Sequence, residues 1–299
     1  MKFSIYTPSN FNFWSTVYSH GWCALPPFFV DPNNRSLRVV LPDGHNKYTA
    51  LDLVEGKKKI IVHAEGSAIM SSSKVAGLSS QIRSMMRLDE SFDVFYAEAK
   101  RHPHHRWVVN RGAGRLLRCP TVFEDVVKMI CTTNCSWALT EIMAEALVSK
   151  LGTTVSGNIR SFPSPEKIAR CSESFLRKEI RCGYRAPYLL ELSRRIAEGK
   201  LDIEQWRQTK IPTEELFDEV RAIKGVGPYA AGNILKLLGR YDYLGLDSSS
   251  RGEFYRAFKK GRRVKDSTIE KHYAQFGEWR GLFLWMDVTK EWYKKKVPF

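Results

Sequence analysis

Near the N-terminus, apolar and polar residues alternate in short β-branched runs broken by Pro, Asp and Gly. Leu37-Arg38-Val39-Val40-Leu41 is followed by the turn cluster Pro42-Asp43-Gly44. Tyr48-Thr49-Ala50-Leu51-Asp52-Leu53 ends at Glu55-Gly56, and Lys59-Ile60-Ile61-Val62-His63 closes the set. This spacing predicts an antiparallel meander, with Phe3-Ser4-Ile5-Tyr6 as a further strand. A sheet of this kind needs a helix on one face, and Ser79 to Met86 and Phe92 to Ala99 carry helical patterns.

The rhythm changes at about Pro120. Phe123, Val126, Val127 and Ile130 fall at i, i+3, i+4 and i+7, one buried helix face. Thr121 stands as its N-cap, with Glu124 at capping-box spacing. Leu139, Ile142, Met143, Ala146 and Leu147 form a second stripe ended by Gly152. Further helices are expected from Ser164-Pro165, from Pro187, and from Thr213-Glu214-Glu215 to Ile223. The fold class read from this pattern is α+β. An N-terminal antiparallel sheet-and-helix domain covers residues 1–118, and an all-helical domain covers 119–299.

Composition narrows the function classes. Of 299 residues, 43% are hydrophobic and 26% charged, enough to build a core and to exclude a mainly disordered chain. No apolar run is long enough for a membrane span, and Met1 to Asn10 lacks a signal-peptide pattern. The six cysteines are too sparse for a disulfide scaffold, so an intracellular setting is expected: cytoplasm and nucleoid, or nucleus. Lys plus Arg number 47 against 32 acids, a net charge of +15. Such a surface attracts polyanions, and nucleic acid leads the partner classes.

The segment with most chemistry is Ile223-Lys224-Gly225-Val226-Gly227-Pro228-Tyr229-Ala230-Ala231-Gly232-Asn233. An apolar helix end runs into Gly-Val-Gly, and a small-residue helix starts at once. Glycines permit a tight hairpin and close approach of backbone amides to a ligand, and the new helix start favours an anion. The bland reading is an ordinary αα-hairpin with a Gly turn. Downstream, Leu246-Asp247-Ser248-Ser249-Ser250-Arg251 places an acid just before another helix. Asp247 reads either as an N-cap or as a site carboxylate. His102-Pro103-His104-His105 lacks Cys or acidic partners at ligand spacing and reads as a surface loop, so no metal is expected. Cys131 and Cys135 read as packing. The basic runs Lys57–Lys59, Lys259–Arg263 and Lys294–Lys296 read as solvated faces, the middle one close enough to Asp247 to touch phosphate.

Gly-Val-Gly-Pro-Tyr-Ala-Ala followed by Leu-Asp resembles the helix-hairpin-helix, Gly/Pro-rich, aspartate (HhH-GPD) superfamily of DNA glycosylases. Tyr229 and Asp247 stand 18 positions apart, the separation of lyase lysine and catalytic aspartate in its endonuclease III and adenine glycosylase branches. Ile130-Cys131-Thr132-Thr133-Asn134 and Gly183-Tyr184-Arg185-Ala186-Pro187-Tyr188 resemble the 8-oxoguanine glycosylases, as does Phe162-Pro163-Ser164. Trp279-Arg280-Gly281 with Trp285 is similar to a segment of the alkylpurine (3-methyladenine) enzymes. The N-terminal sheet resembles the extra domain that both branches share.

The resemblance implies a two-lobed helical glycosylase domain with its active site in a cleft. It implies Asp247 as the catalytic carboxylate. Lys224, Gly225, Val226, Gly227 and Arg251 become DNA-backbone contacts, Asn134 and Tyr184 gap fillers in the stack, and Arg185 the reader of the orphaned base. Trp279, Trp285 and Tyr229 lead the aromatic candidates for a pocket, ahead of Trp14, Trp22 and Trp137; Tyr229 reads equally as a packing residue.

Three departures shape the expectation. Tyr229 replaces the lyase lysine, and a phenol cannot form a Schiff base; Lys224 and Lys236 lie nearby but not at that position. The cysteines end at Cys182, so no iron–sulfur cluster is expected, and the one ion implied is a monovalent cation at the hairpin when DNA is bound. Gly281 and Leu139 stand where 8-oxoguanine glycosylase has a glutamine and an arginine. The expected function is a monomeric, monofunctional glycosylase acting on double-stranded DNA with a damaged base, an alkylated purine first. The alternatives are a glycosylase for oxidised, deaminated or mismatched bases, and a non-catalytic damaged-DNA-binding module.

Overall fold

The computed structural model describes residues 1–44, 47–64 and 70–295; Lys296 of the last basic run lies outside them. The chain groups into two compact units, each discontinuous in sequence. The first comprises Met1–Phe13, Gly21–Asp89 and Leu117–Glu204; the second comprises Trp14–His20, Glu90–Leu116 and Gln205–Phe299. The expected division at 118/119 is therefore one of sequence, and the spatial grouping is different. Among the described residues no helix is long and apolar enough to cross a membrane.

The first unit carries an antiparallel five-stranded sheet: β1 (Lys2–Tyr6), β2 (Phe29–Asp31), β3 (Ser36–Pro42), β4 (Tyr48–Gly56) and β5 (Lys59–Ala64), in the order β1-β5-β4-β3-β2. Val39 faces Leu51 and Leu53 faces Val62 across the strands. Leu37, Val39, Leu41, Leu51, Leu53, Ile60 and Val62 are all fully buried, the period-two face that the alternation predicts. The short strand β2 carries only three residues and no alternation to read. The helix expected from Ser79 starts seven residues earlier, at Ser72, because the Ser71 hydroxyl caps it by accepting from the Lys74 amide at 3.2 Å.

The helix Val122–Thr132 buries Phe123, Val126, Val127 and Ile130 as expected. The Thr121 hydroxyl caps it, accepting from the Glu124 amide at 3.2 Å. The Glu124 carboxylate accepts from the Lys128 amine at 2.7 Å deep in the unit. A carboxylate from far away in sequence completes the cap: Glu204 accepts from the Val122 and Phe123 amides, both at 2.9 Å. In the helix Trp137–Leu151 the buried face is turned by one residue from the expected stripe. Thr140, Met143, Ala144, Leu147 and Val148 are inside, while Leu139 is half-buried and Ile142 exposed. Thr140 is tolerated inside because its hydroxyl donates to the Cys131 carbonyl at 3.2 Å.

The second unit is helical. Its helices Thr213–Arg221, Pro228–Leu238, Ser248–Phe258, Asp266–Tyr273 and Arg280–Lys295 follow one another with short connections. Phe92, Phe95, Tyr241 and Trp279 form an aromatic cluster, with Trp279 stacked on Tyr241 at 5.2 Å between centroids.

The segment His102–His105 departs from the surface-loop expectation. Pro103–His105 is a 3₁₀ turn and His105 is buried. Asp287, 182 residues away, supplies the acid that local spacing did not. His105 and His104 meet its Oδ1 at 2.9 and 3.1 Å, and the Tyr273 hydroxyl donates to Oδ2 at 2.7 Å. Burial pushes the Asp287 carboxyl up, but these partners outweigh it and hold it down at about 2. His105 Nδ1 is buried without a hydrogen-bond partner among the described residues. A metal-bound imidazole ordinarily donates from that second nitrogen, so the cluster fits a hydrogen-bonded clasp on the last helix.

Candidate active site

The glycine hairpin lies in the second unit. The helix Thr213–Arg221 ends at Ala222, and the chain turns through Gly225 at φ +86°, a value only glycine adopts cheaply. Buried Val226 plugs the bend, its amide donating to the Ile223 carbonyl at 3.1 Å. Gly227 is the N-cap of the helix Pro228–Leu238, with Pro228 in its first turn. Lys224 and Gly227 are exposed and Gly225 is half-buried. The amides of Gly225 and Gly227 donate to nothing among the described residues. Two unspent donors on an exposed bend beside a helix start can hold an anion without reading a base.

The hairpin's second helix and the stretch before Asp247 are packed backbone to backbone. A Cβ on Gly232 would meet the Gly245 Cα at 2.8 Å, and Gly245 turns the chain with φ +63°. Asp247 then caps the helix Ser248–Phe258. Its Oδ1 accepts from the Ser250 amide at 2.7 Å, and the Ser250 hydroxyl accepts from the Asp247 amide at 2.8 Å. The bland and the functional readings of Asp247 thus coexist. The cap fixes the rotamer through one oxygen, and the half-buried carboxylate keeps Oδ2 without a hydrogen bond among the described residues. A carboxylate held this way is preorganised, a requirement for stabilising a positive charge that develops beside it.

Other expected site residues have other occupations. The Arg251 guanidinium forks onto Asp266 with two bonds of 2.7 Å, so any phosphate must compete with that carboxylate. Trp279 sits in the aromatic cluster described above. The Trp285 indole donates to the Ser19 carbonyl at 3.0 Å and meets Trp292 edge-on. Tyr229 is half-buried in the first turn of the hairpin's second helix, and its carbonyl accepts from Asn233 Nδ2 at 2.9 Å.

Asn134, Tyr184 and Arg185 come together in the first unit, 50 residues apart in sequence. Asn134 is exposed with φ +47°, and its amide donates to the Tyr184 hydroxyl at 3.4 Å. That hydroxyl donates to the Thr133 carbonyl at 3.3 Å. Arg185, expected as a base reader, is buried at 3% exposure. Its guanidinium lies 4.6 Å from the Tyr184 ring centre and donates to the Thr133 carbonyl. In this state it props the exposed Asn134–Tyr184 tip. Cys131 and Cys182 are both buried, and Cys182 together with burial pushes the Cys131 thiol well above its ordinary range. Two open hollows of about 450 and 400 Å³ also lie in this unit, and neither includes Asp247 or a hairpin residue.

Two residues named in the sequence for other reasons have structural roles near the site that the sequence reading did not assign. Lys236 interrupts the apolar run Ile234-Leu235-Lys236-Leu237-Leu238, which was the available signal, and its buried amine donates to the Leu244 carbonyl at 2.7 Å. Gly281 opens the last helix against the stretch 241–243. Its amide donates to the Tyr241 carbonyl at 2.6 Å, and an added Cβ would overlap the Tyr243 carbonyl oxygen.

Residues 127–277, half of the chain, match the model of the HhH-GPD superfamily of base excision DNA repair proteins. The chain belongs to this superfamily. That superfamily is one of base excision DNA repair proteins. YfjP of Bacillus subtilis, provisionally a DNA-3-methyladenine glycosylase, is 24% identical over 174 residues, 56% of this chain; the chain spans 59% of that relative's length. Two solved structures share the fold over nearly the whole chain. The 3-methyladenine DNA glycosylase from Archaeoglobus fulgidus superposes with a TM-score of 0.77 at 19% identity, covering 97% of this chain and 99% of its own. The 8-oxoguanine glycosylase/lyase of Clostridium acetobutylicum gives 0.76 at 17% identity, covering 96% and 95%.

Proposed function

We propose that this chain is a monofunctional DNA glycosylase that releases a damaged base, an alkylated purine first, from double-stranded DNA by hydrolysis. The observation that carries the reading is Asp247: a carboxylate clamped through one oxygen by its own helix cap, with the other oxygen unspent. The stretch leading to it rests on the second helix of a hairpin whose amides suit a phosphate. Once the damaged nucleotide is rotated out of the stack, the bond between C1′ and the base nitrogen breaks and its electron pair leaves with the base. The sugar becomes oxocarbenium-like. Asp247 stabilises that charge and accepts the proton of the water whose oxygen bonds to C1′. The exposed Asn134–Tyr184 tip suits the gap left in the duplex. Rotation costs a few kcal/mol, least at a damaged base, so selectivity begins there.

Monofunctional chemistry is supported by what stands near the hairpin. Tyr229 offers a phenol where lyases of the superfamily carry an amine, Lys224 lies in the bend before it, and the Lys236 amine is 2% exposed. Alkylpurine preference is supported by YfjP and the Archaeoglobus fulgidus enzyme, both 3-methyladenine glycosylases by name. Gly281 supports it too, since the backbone at Tyr243 leaves no room there for a base-reading side chain.

The test is a panel of duplexes, each with one modified base, scored separately for released base and for strand breakage. The expected result is release of 7-methylguanine or 3-methyladenine without breakage. Asp247→Asn should slow release by a factor on the order of 10²–10³ while binding lesion DNA normally. A borohydride-trapped covalent adduct would overturn the monofunctional reading. Absence of release from every duplex would leave a DNA-binding module.

A further inference from the structure

Resting on that reading of Asp247, we propose that Lys236 is its positioning residue, the buried amine that ties the stretch before Asp247 to the hairpin's second helix and so aims the carboxylate. The Lys236 amine donates to the Leu244 carbonyl at 2.7 Å, to Asn233 Oδ1 at 3.2 Å and to the Gly232 carbonyl at 3.4 Å. Asn233 in turn donates to the Tyr229 carbonyl. One network therefore joins the helix start to the loop three residues ahead of Asp247. The fit is tight: a Cβ on Gly245 would stand 3.0 Å from the Lys236 nitrogen and 3.1 Å from Asn233 Nδ2. Segment 244–247 is thus pinned at both ends, by Lys236 at Leu244 and by Ser250 at Asp247.

A leucine at 236 would fill the same apolar run. An amine is needed only to satisfy carbonyls, and the ammonium form has a third proton for the third acceptor. Burial lowers Lys236 to about 7, and the charge of Asp247 opposes that fall. The neighbouring helices add little. Thr213–Arg221 turns Leu216 and Val220 inward and keeps Glu214, Glu215, Asp218 and Glu219 exposed. The buried acid of Arg280–Lys295, Asp287, is held by His104, His105 and Tyr273. Above about pH 7 the amine loses its third proton, and the grip on the loop weakens.

The experiment is single-turnover release of 7-methylguanine from a duplex by the full chain, across pH 6 to 9. Alongside it are binding to a duplex with a tetrahydrofuran abasic analogue, and thermal melting. Wild type should slow as pH climbs past about 7. Lys236→Met, which keeps length and apolar volume, should lose on the order of 10²-fold in release, bind the analogue within two-fold of wild type, and show no limb near 7. Lys236→Gln, which keeps a donor toward Leu244, should recover part of the rate. The proposal is overturned if Lys236→Met keeps the wild-type rate and pH profile, or if rate, analogue binding and melting temperature all fall together in both variants. Asp247→Asn run in parallel separates the two readings. If it still releases base, the role of Asp247 fails; if it is inactive while Lys236→Met matches wild type, only the positioning role fails.

Discussion

Lys128 in the first unit and Lys236 in the second are buried to the same depth, 1% and 2% exposed, yet their protons are held very differently. Burial works against the charge of both. At Lys128 the nearby Cys119 and Glu124 outweigh it, the carboxylate lying 2.7 Å away, and the amine ends above the usual lysine range. The Phe28 ring adds a favourable face 4.7 Å from the nitrogen. At Lys236 the amine donates to carbonyl and amide oxygens, and burial wins. Neutral acceptors satisfy a donor but replace little of the solvation that a full charge loses. The difference separates a structural lysine from a tunable one: Lys128 stays charged at any working pH, whereas Lys236 changes state near neutrality.

The comparison breaks most sharply at Glu124. Glu124→Met leaves Lys128 buried without its carboxylate, and the expected cost is about 3–5 kcal/mol of unfolding free energy, read by denaturant melts. Next in size is a pH slope. Lys236 titrates near 7 when folded against an ordinary lysine value of 10.5, so between those values the unfolded chain binds the extra proton. Stability should therefore rise from pH 7 to 10.5, by up to about 1.4 kcal/mol per pH unit, with the penalty complete below 7. Lys236→Met should lack that contribution, and Lys128→Met should keep it. Smallest is the paired replacement Glu124→Leu with Lys128→Met, expected to be neutral or stabilising by about 1 kcal/mol. A large loss there would mean that the pair does more than satisfy itself.

Much of this molecule can be read from local pattern. The strands β3 to β5 follow their alternation, the Gly-Val-Gly bend is where the glycines require it, and the cap at Asp247 is written in Asp-Ser-Ser-Ser. What escapes local pattern is partnership at long range. Nothing around Val122 announces that Glu204 will complete its cap, nor does His105 announce Asp287. The helix Trp137–Leu151 is nearly as apolar on one side as on the other, so the stripe through Leu139 and Ile142 and the true face through Thr140 and Met143 differ by one residue of rotation. Tertiary contact with Cys131 decided between them. Arg185 was legible as a residue of the wedge segment, but its burial beneath Tyr184 was not.

The polypeptide passes between its two compact groupings five times, near residues 13, 20, 89, 116 and 204. No single cut in the gene can therefore yield either grouping whole. Each must recruit stretches made early and late during synthesis, so its contacts span most of the chain and cost loop entropy before they form. Truncated products will expose raw apolar faces and fall to proteolysis. For this architecture, trimming from either end is a poor route to a minimal DNA-repair module, whereas point changes leave the shared assembly in place.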